Sequence, residues 1–430
     1  MRTLQQIADA LEGYDPSALP IRQARTFLEA LVAPLDQIDE VPLIEAGDRI
    51  LARDLVSGLD VPPHDNSAMD GYAFRGVDLS AGDQTLSLEV VGTALAGRAW
   101  TGRIEAGQCV RIMTGAIMPA GLDTVVPQEM VQADDTGRTI RFPTTSLRAG
   151  DNRRFKGEDL RIGAVALRRG QRIGPARLGL AASLGIESLP VYRRPVVACL
   201  STGDEIAALG EPLREGSVYD SNRYSLMGLL RRLGCEVVDL GLIPDDPARL
   251  RTALERAADQ ADVVISSGGV SVGQADHTRV LLDEVADMVF WRVAMRPGRP
   301  LAAGRVQRPD RARPTLVFGL PGNPVAVMVT FMALVRPTLL KLMGCADEPP
   351  PLLQARSLTA LQKKPGRTEY QRGWVSIDPQ GQLQVRVTGN QGSGVLSSMT
   401  EANGLIVLPH ESGSVKPGDA VEVMMFEGYL

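Results

Sequence analysis

Three acidic residues stand just beyond apolar runs, where carboxylates can meet a ligand. Glu205 follows the run at residues 196–201, Asp245 follows 236–243, and Asp276 comes a short way after 263–265. Between that last run and Asp276 lies Ser266-Ser267-Gly268-Gly269-Val270-Ser271-Val272-Gly273. Its glycines let the backbone approach a ligand closely and turn N–H groups outward, and its serines add hydroxyl donors. Two readings fit this stretch locally. One is a phosphate cradle with an acidic residue beside it; the other is a Gly-rich turn whose Asp276 only caps the next helix. Oxygen ligands suit Mg²⁺, so Glu205, Asp245 and Asp276 are candidates to hold a divalent ion against phosphate oxygens.

More groups of this kind recur further along. Thr202-Gly203 turns between an apolar run and Glu205. Leu320-Pro321-Gly322-Asn323-Pro324 opens a helix, with Asn323 as N-cap and Pro324 at the first helical position. Arg296 and Arg299, flanking Pro297-Gly298, offer fixed cations for an oxyanion. Plain structural roles are open to several of these. Asp246, before Pro247, is a helix cap; Glu205 can be a surface residue; Asn323 can cap its own helix. Such roles do not account for all of them falling at one edge of one sheet, which a ligand site does.

Nearer the start, His64-Asp65-Asn66-Ser67-Ala68-Met69-Asp70-Gly71-Tyr72-Ala73 is unusually polar for a segment that runs into a strand. A turn explains Asp65-Asn66-Ser67 but not why Met69-Asp70-Gly71 continues the polar cluster. Thr114 stands at the end of an apolar run, a place fit for a ligand contact or a simple turn. Asn152-Arg153-Arg154-Phe155-Lys156-Gly157-Glu158-Asp159 sets three cations beside two carboxylates, which locally reads as a solvated loop with surface ion pairs.

The elements that must position these groups differ along the chain. Residues 1–60 are expected to be mostly helical, with Ile21, Ala24, Phe27, Leu28 and Leu31 at helical spacing. Residues 61–157 hold short alternating runs, the texture of a small β domain. Helix returns near residues 176–184, so the first region, 1–60 plus 158–190, is read as discontinuous with the β domain inserted. From 191 to 345 apolar strands alternate with helices, the mark of a doubly wound parallel sheet, whose ligands bind at the carboxyl ends of strands. Residues 346–430 follow a proline linker and read as a small β-barrel. The fold class is thus multidomain α/β.

At 430 residues the chain is long enough for roughly two to four domains. A net charge of −5 without a basic patch, and only 4% aromatics, argue against nucleic-acid binding. The four cysteines are far apart and read as buried thiols in a reducing compartment. Three histidines make a multi-histidine zinc site an unsuitable reading. The start shows no secretory pattern, and the most apolar helix candidate, residues 325–335 before Arg336-Pro337, is too short to span a bilayer. A cytoplasmic location and no membrane association are expected.

Taken in order, these stretches resemble the molybdopterin molybdenumtransferase family, the MoeA proteins of bacteria and the E domain of gephyrin. The matching segments are Asp65-Asn66-Ser67-Ala68-Met69-Asp70-Gly71-Tyr72-Ala73, Ile112-Met113-Thr114-Gly115-Ala116, residues 154–159, Ser201-Thr202-Gly203-Asp204-Glu205, residues 266–273, Pro297-Gly298-Arg299-Pro300 and Gly319-Leu320-Pro321-Gly322-Asn323-Pro324. The resemblance implies that residues 191–345 are a molybdopterin-binding domain in a four-domain subunit and that the protein is a homodimer. It implies insertion of molybdenum from molybdate into adenylylated molybdopterin, with AMP released and molybdenum cofactor formed. A molybdopterin adenylyltransferase and molybdoenzyme maturation factors are the partners it points to.

By family match, Asp65, Thr114, Asp159, Glu205, Asp245, Asp276, Pro321 and Pro324 are the expected catalytic positions. Glu205, Asp245 and Asp276 would hold Mg²⁺ or another divalent ion. Substrate binding falls to Thr202, Gly203, Ser267, Gly268, Gly269, Ser271, Arg296, Arg299, Gly322 and Asn323. In the family the site lies at the subunit interface, so Asp65 and Thr114 would face the partner's doubly wound domain. Arg296 and Arg299 stand where lysines are common, and Ala326 where a serine is common. Arg367, Arg372 and Ser397 resemble molybdate contacts. The alternatives are a tungstate-handling homologue and a non-catalytic, gephyrin-like scaffold; an enzyme of the competence-damage family lacks the Asp65 to Ala73 block.

Overall fold

The structure, a computed structural model, describes residues 2–80, 84–268, 284, 286–347 and 349–427. At its centre is a six-stranded sheet in the order Glu236–Ile243, Val196–Thr202, Val263–Ser267, Thr315–Leu320, Pro300–Val306, Asp287–Arg292. The first four strands are parallel. Pro300–Val306 pairs antiparallel with both of its neighbours and so runs against the other five strands, which corrects the expectation of a wholly parallel sheet. Short loops join these last strands, and a parallel return needs a crossover of a dozen or more residues.

Side chains alternate across this sheet as the pleat requires. Val197, Cys199, Val263, Ile265, Leu316 and Phe318 face one core with Leu226, Leu230 and Leu233 of the Asn222–Leu233 helix. Ala198, Leu200, Val264 and Val317 face the other, with Leu250, Leu254 and Ala257 of the Pro247–Gln260 helix. The doubly wound arrangement is therefore present. Gly234 ends the first of these helices at φ +95°, where a side chain would be strained.

The N-terminal region departs from the mostly helical expectation. Helices cover Leu4–Asp9 and Ile21–Leu31, but Ile38–Pro42 is a strand paired with Ser188–Tyr192, and Leu55–Val56 pairs with Val165–Leu167. Helical spacing lapses at Pro34 and Pro42, and the strands find partners more than a hundred residues away. The chain between them builds a six-stranded sheet from Gly71–Phe74, Thr85–Ala94, Gln108–Ile112, Thr124–Pro127, Gln132–Ala133 and Thr139–Pro143.

The apolar helix is longer than residues 325–335. It runs Pro324–Leu342, with a π-helical turn at Phe331–Val335, and Arg336-Pro337 does not end it. Pro337 has no N–H for the Ala333 carbonyl, the usual cost of an interior proline. That carbonyl accepts instead from Arg25 Nε at 2.9 Å. The helix is long and apolar enough to cross a membrane, yet 78% of its most apolar window is buried inside the protein, as in a core helix.

The C-terminal region is a closed five-stranded barrel of Leu353–Ser357, Thr368–Ile377, Leu383–Val387, Gly404–Leu408 and Ala420–Met425. Met295–Arg296 adds in parallel to Thr368 and Glu369, tying the barrel to the central domain. All four cysteines are free, and burial pushes the Cys109, Cys199 and Cys235 thiols up to about 12.

Candidate functional site

The four parallel strands deliver their carboxyl ends to one edge. The Thr202 hydroxyl donates to Asp245 Oδ1 at 2.5 Å, linking the loops after two neighbouring strands. Asp246 caps its helix by accepting from the Arg249 N–H at 2.8 Å, as its place before Pro247 leads one to expect. Glu205 and Asp245 are both exposed on this edge. Gly203 sits at φ +145°, a backbone conformation that side-chain-bearing residues rarely adopt, so glycine suits this turn. Gly268, at φ +94°, is needed as well, since a Cβ would meet the Thr202 carbonyl at 2.6 Å.

Gly269, Ser271 and Asp276 lie outside the described residues. Among the described residues, no group of three His, Cys, Asp or Glu side chains is spaced to hold a metal. Glu205 and Asp245 are the two members of the expected set that can be followed.

Pro324 opens its helix as expected, behind a buried Pro321 and an exposed Gly322. Asn323 occupies the N-cap position as expected, though its side chain makes no capping bond. Among the described residues its exposed side chain makes no hydrogen bond. The segment is clamped from below by the Asn222 amide, which donates to Ser267 Oγ at 2.8 Å and to the Gly322 carbonyl at 2.7 Å. Asp220, two residues earlier, accepts from the Ser201 hydroxyl at 3.0 Å. Residues 220–222 thus hold three adjacent strand ends. Sequence reasoning missed both, because an Asp-Ser-Asn before a helix reads as a turn.

Arg296 and Arg299 line different clefts, each walled on one side by the barrel. Arg296 faces a cavity of about 270 Å³ with Glu369, Gln371, Arg372 and Gln391. Arg299 faces one of about 280 Å³ with Arg292 and Arg367. Gly298 between them, at φ +94°, packs so tightly that a Cβ would sit 2.2 Å from Thr330 Oγ1. Arg372 is buried, donating to Ser398 Oγ and the Asn390 and Gly392 carbonyls at 2.9–3.1 Å. Burial and then the Arg296 charge push its pKa down. Ser398, not the exposed Ser397, is its hydroxyl partner.

The N-terminal polar stretches come together in one cluster. Asn66–Ser67 pairs with Arg153–Arg154, and the Gly115 N–H donates to the Ser67 carbonyl. Asp65 forms an ion pair with Arg153 and accepts from the Lys156 N–H at 2.7 Å. The Lys156 N–H first, then Arg153, holds its carboxyl below the usual carboxylate range. Thr114 is exposed beside Asp70, to which it donates twice. Asp159 is exposed, with its N–H on the Val61 carbonyl. Asp70, quoted within the polar block but not singled out, is the residue that orients Thr114. Among the described residues no hydrogen bond or ion pair joins Asp65, Thr114 or Asp159 to the sheet edge that carries Glu205.

Comparison with known proteins follows the same division. Residues 19–185 match the MoeA N-terminal region (domain I and II), 198–341 a probable molybdopterin binding domain, and 354–426 the MoeA C-terminal region (domain IV). A molybdopterin molybdenumtransferase of Haemophilus influenzae is 43% identical over 414 residues, covering 96% of this chain and 100% of that protein. Molybdopterin molybdenumtransferase 2 of Mycobacterium tuberculosis is 36% identical over 392 residues, covering 89% of this chain and 94% of its own. The crystal structure of a molybdopterin biosynthesis moeA protein from Pyrococcus horikoshii superposes with a TM-score of 0.80 at 28% identity, covering 95% of this chain and 100% of that one.

Proposed function

The chain belongs to the molybdopterin molybdenumtransferase family, enzymes of molybdenum cofactor biosynthesis, and from that premise we propose that it inserts molybdenum from molybdate into adenylylated molybdopterin. AMP is released and molybdenum cofactor is formed. The observation that carries this reading is the convergence of Thr202, Asp245, Ser267 and Gly322 on one sheet edge. Backbone N–H groups and hydroxyls there suit the pyrophosphate of the adenylylated substrate, and the helix opened at Pro324 adds the positive end of its dipole.

Glu205 and Asp245 present hard carboxylate oxygens, the donor type that Mg²⁺ takes. Asp245 engages Thr202 through Oδ1, which leaves Oδ2 for an ion. With Asp276 they would hold Mg²⁺, which supplies positive charge against the phosphoanhydride oxygens. Thr202 fixes the Asp245 carboxylate in one orientation. Molybdate, a doubly charged oxyanion, is assigned to the arginine clefts of Arg296 and Arg299, where planar guanidinium groups donate in pairs. The subunit acts as a homodimer, with Asp65 and Thr114 completing the partner's sheet-edge site. Among the described residues, the Asp65 and Thr114 side chains bond to Arg153, Lys156 and Asp70 and not to the sheet edge, which is what supports a shared site. The reading puts the protein in the cytoplasm, where its free thiols stay reduced.

The test is AMP release by the purified protein supplied with adenylylated molybdopterin, Mg²⁺ and molybdate. Release that depends on both molybdate and Mg²⁺ supports the reading; a folded protein that releases none refutes it.

A further inference from the structure

Asn222 is 8% exposed and lies beneath the sheet edge at the start of the Asn222–Leu233 helix. Its Nδ2 donates to both Ser267 Oγ and the Gly322 carbonyl. The Gly322 carbonyl only accepts, so it fixes which end of the amide is nitrogen. Oδ1 is then buried without a partner among the described residues. An orphaned buried acceptor destabilises a fold, and an apolar side chain would avoid that cost. Packing alone therefore does not explain an amide at this place.

The two bonds have a chemical consequence. An amide N–H only donates, so Ser267 Oγ accepts from it and the serine keeps its own proton for another acceptor. In a trans peptide the C=O and the following N–H point in opposite directions. Holding the Gly322 carbonyl on Asn222 therefore turns the Asn323 N–H away from it. Among the described residues that N–H has no acceptor. Asp220, bonded to Ser201 and to Arg223, anchors the segment that carries Asn222.

We infer that Asn222 is a positioning residue that sets the donor array of the site. It leaves the Ser267 hydroxyl and the Asn323 N–H as a pair of donors for the phosphate oxygens of the substrate. The inference rests on the proposed pyrophosphate site and deepens it.

Asn222→Ala, Asn222→Asp and a core control, Leu254→Ala, are compared with wild type for AMP release and for inorganic pyrophosphate binding by calorimetry. Loss of two oriented donors to a charged group lowers kcat/KM about 10- to 100-fold in Asn222→Ala, through KM as well as kcat. Leu254→Ala is equally or more destabilised but keeps the wild-type KM. The new carboxylate in Asn222→Asp repels the Gly322 carbonyl, but once protonated it donates again. Its activity relative to wild type therefore recovers as pH falls from 8 towards 5, and that of Asn222→Ala does not. A wild-type KM in Asn222→Ala overturns the inference while leaving the proposed function standing. Pyrophosphate binding needs no turnover, so it decides the matter even where no AMP is released. At least tenfold weaker binding by Asn222→Ala supports the inference; equal binding, or none by wild type, overturns it.

Discussion

Thr114 gives both its backbone N–H and its hydroxyl to one carboxylate oxygen of Asp70, at 2.7 and 2.6 Å. The hydroxyl proton is thereby committed, and the Thr114 oxygen faces any ligand as an acceptor. The Thr114 hydroxyl first, then its N–H, holds the Asp70 carboxyl below its usual pKa. A carboxylate lowered by folding stabilises the protein above its unfolded pKa, and that stabilisation is lost as pH falls through the folded value. Asp70→Asn is therefore expected to melt below wild type at pH 7. The gap should begin to narrow as the pH drops below about 4, the ordinary carboxylate range, and close only beneath the lowered folded value. Melting curves across pH 2 to 8 check this, and a constant gap would contradict it.

Glu205 and Asp245 are exposed, so neither supports the core. Glu205→Ala and Asp245→Ala should keep the wild-type melting temperature within a few degrees. AMP release should fall by about 100-fold or more, the scale of losing metal-assisted charge stabilisation. Normal release by both variants would remove the metal role assigned to them.

Gly298 is held at φ +94° against Thr330. Gly298→Ala should cost more than about 1 kcal/mol, because a Cβ is strained there and also strikes Thr330 Oγ1. Adding Thr330→Ala removes the steric part but not the backbone part. A double-mutant cycle by denaturant unfolding should show partial recovery, and strict additivity would count against the contact.

Arg25 takes over the carbonyl that Pro337 leaves unpaired. Arg25→Ala should destabilise by about 1.5–3 kcal/mol, the range for a lost charged hydrogen bond. The combined variant Arg25→Ala with Pro337→Ala should be less destabilised than the two single losses added together, because the restored N–H can pair with Ala333 again. Urea unfolding measures both.

A shared site predicts complementation. Inactive Asp65→Ala subunits mixed with inactive Glu205→Ala subunits should regain part of the AMP-release activity. Failure to recover any, with subunit exchange demonstrated, would rule out a site assembled from two subunits.

Much of this fold was legible because local signals agreed with their surroundings. Gly234 closes a helix at positive φ, Asp246 caps one ahead of Pro247, and Pro324 opens one. Apolar runs became strands, and their following loops carried the polar groups to one edge. An apolar run has no direction, however, so the reversed Pro300–Val306 strand, antiparallel to both its neighbours, could not be told from a parallel one. Pro337 reads as a stop, yet the helix continues through it, with a π-helical turn before it and Arg25, distant in sequence, on the Ala333 carbonyl.

The site divides in the same way. The residue types at Glu205, Asp245, Ser267 and Gly268 were set by the sequence itself, because turns and carboxylates after apolar runs are local features. Which of them touch, and through what, was decided by tertiary structure. Asn222 meets Ser267 and Gly322 only because its helix packs beneath two strand ends, and Arg296 and Arg299 part into separate clefts only because the barrel lies beside them. Hydrogen bonds reach about 3 Å whatever the separation along the chain, so partners of this kind leave no periodicity to read.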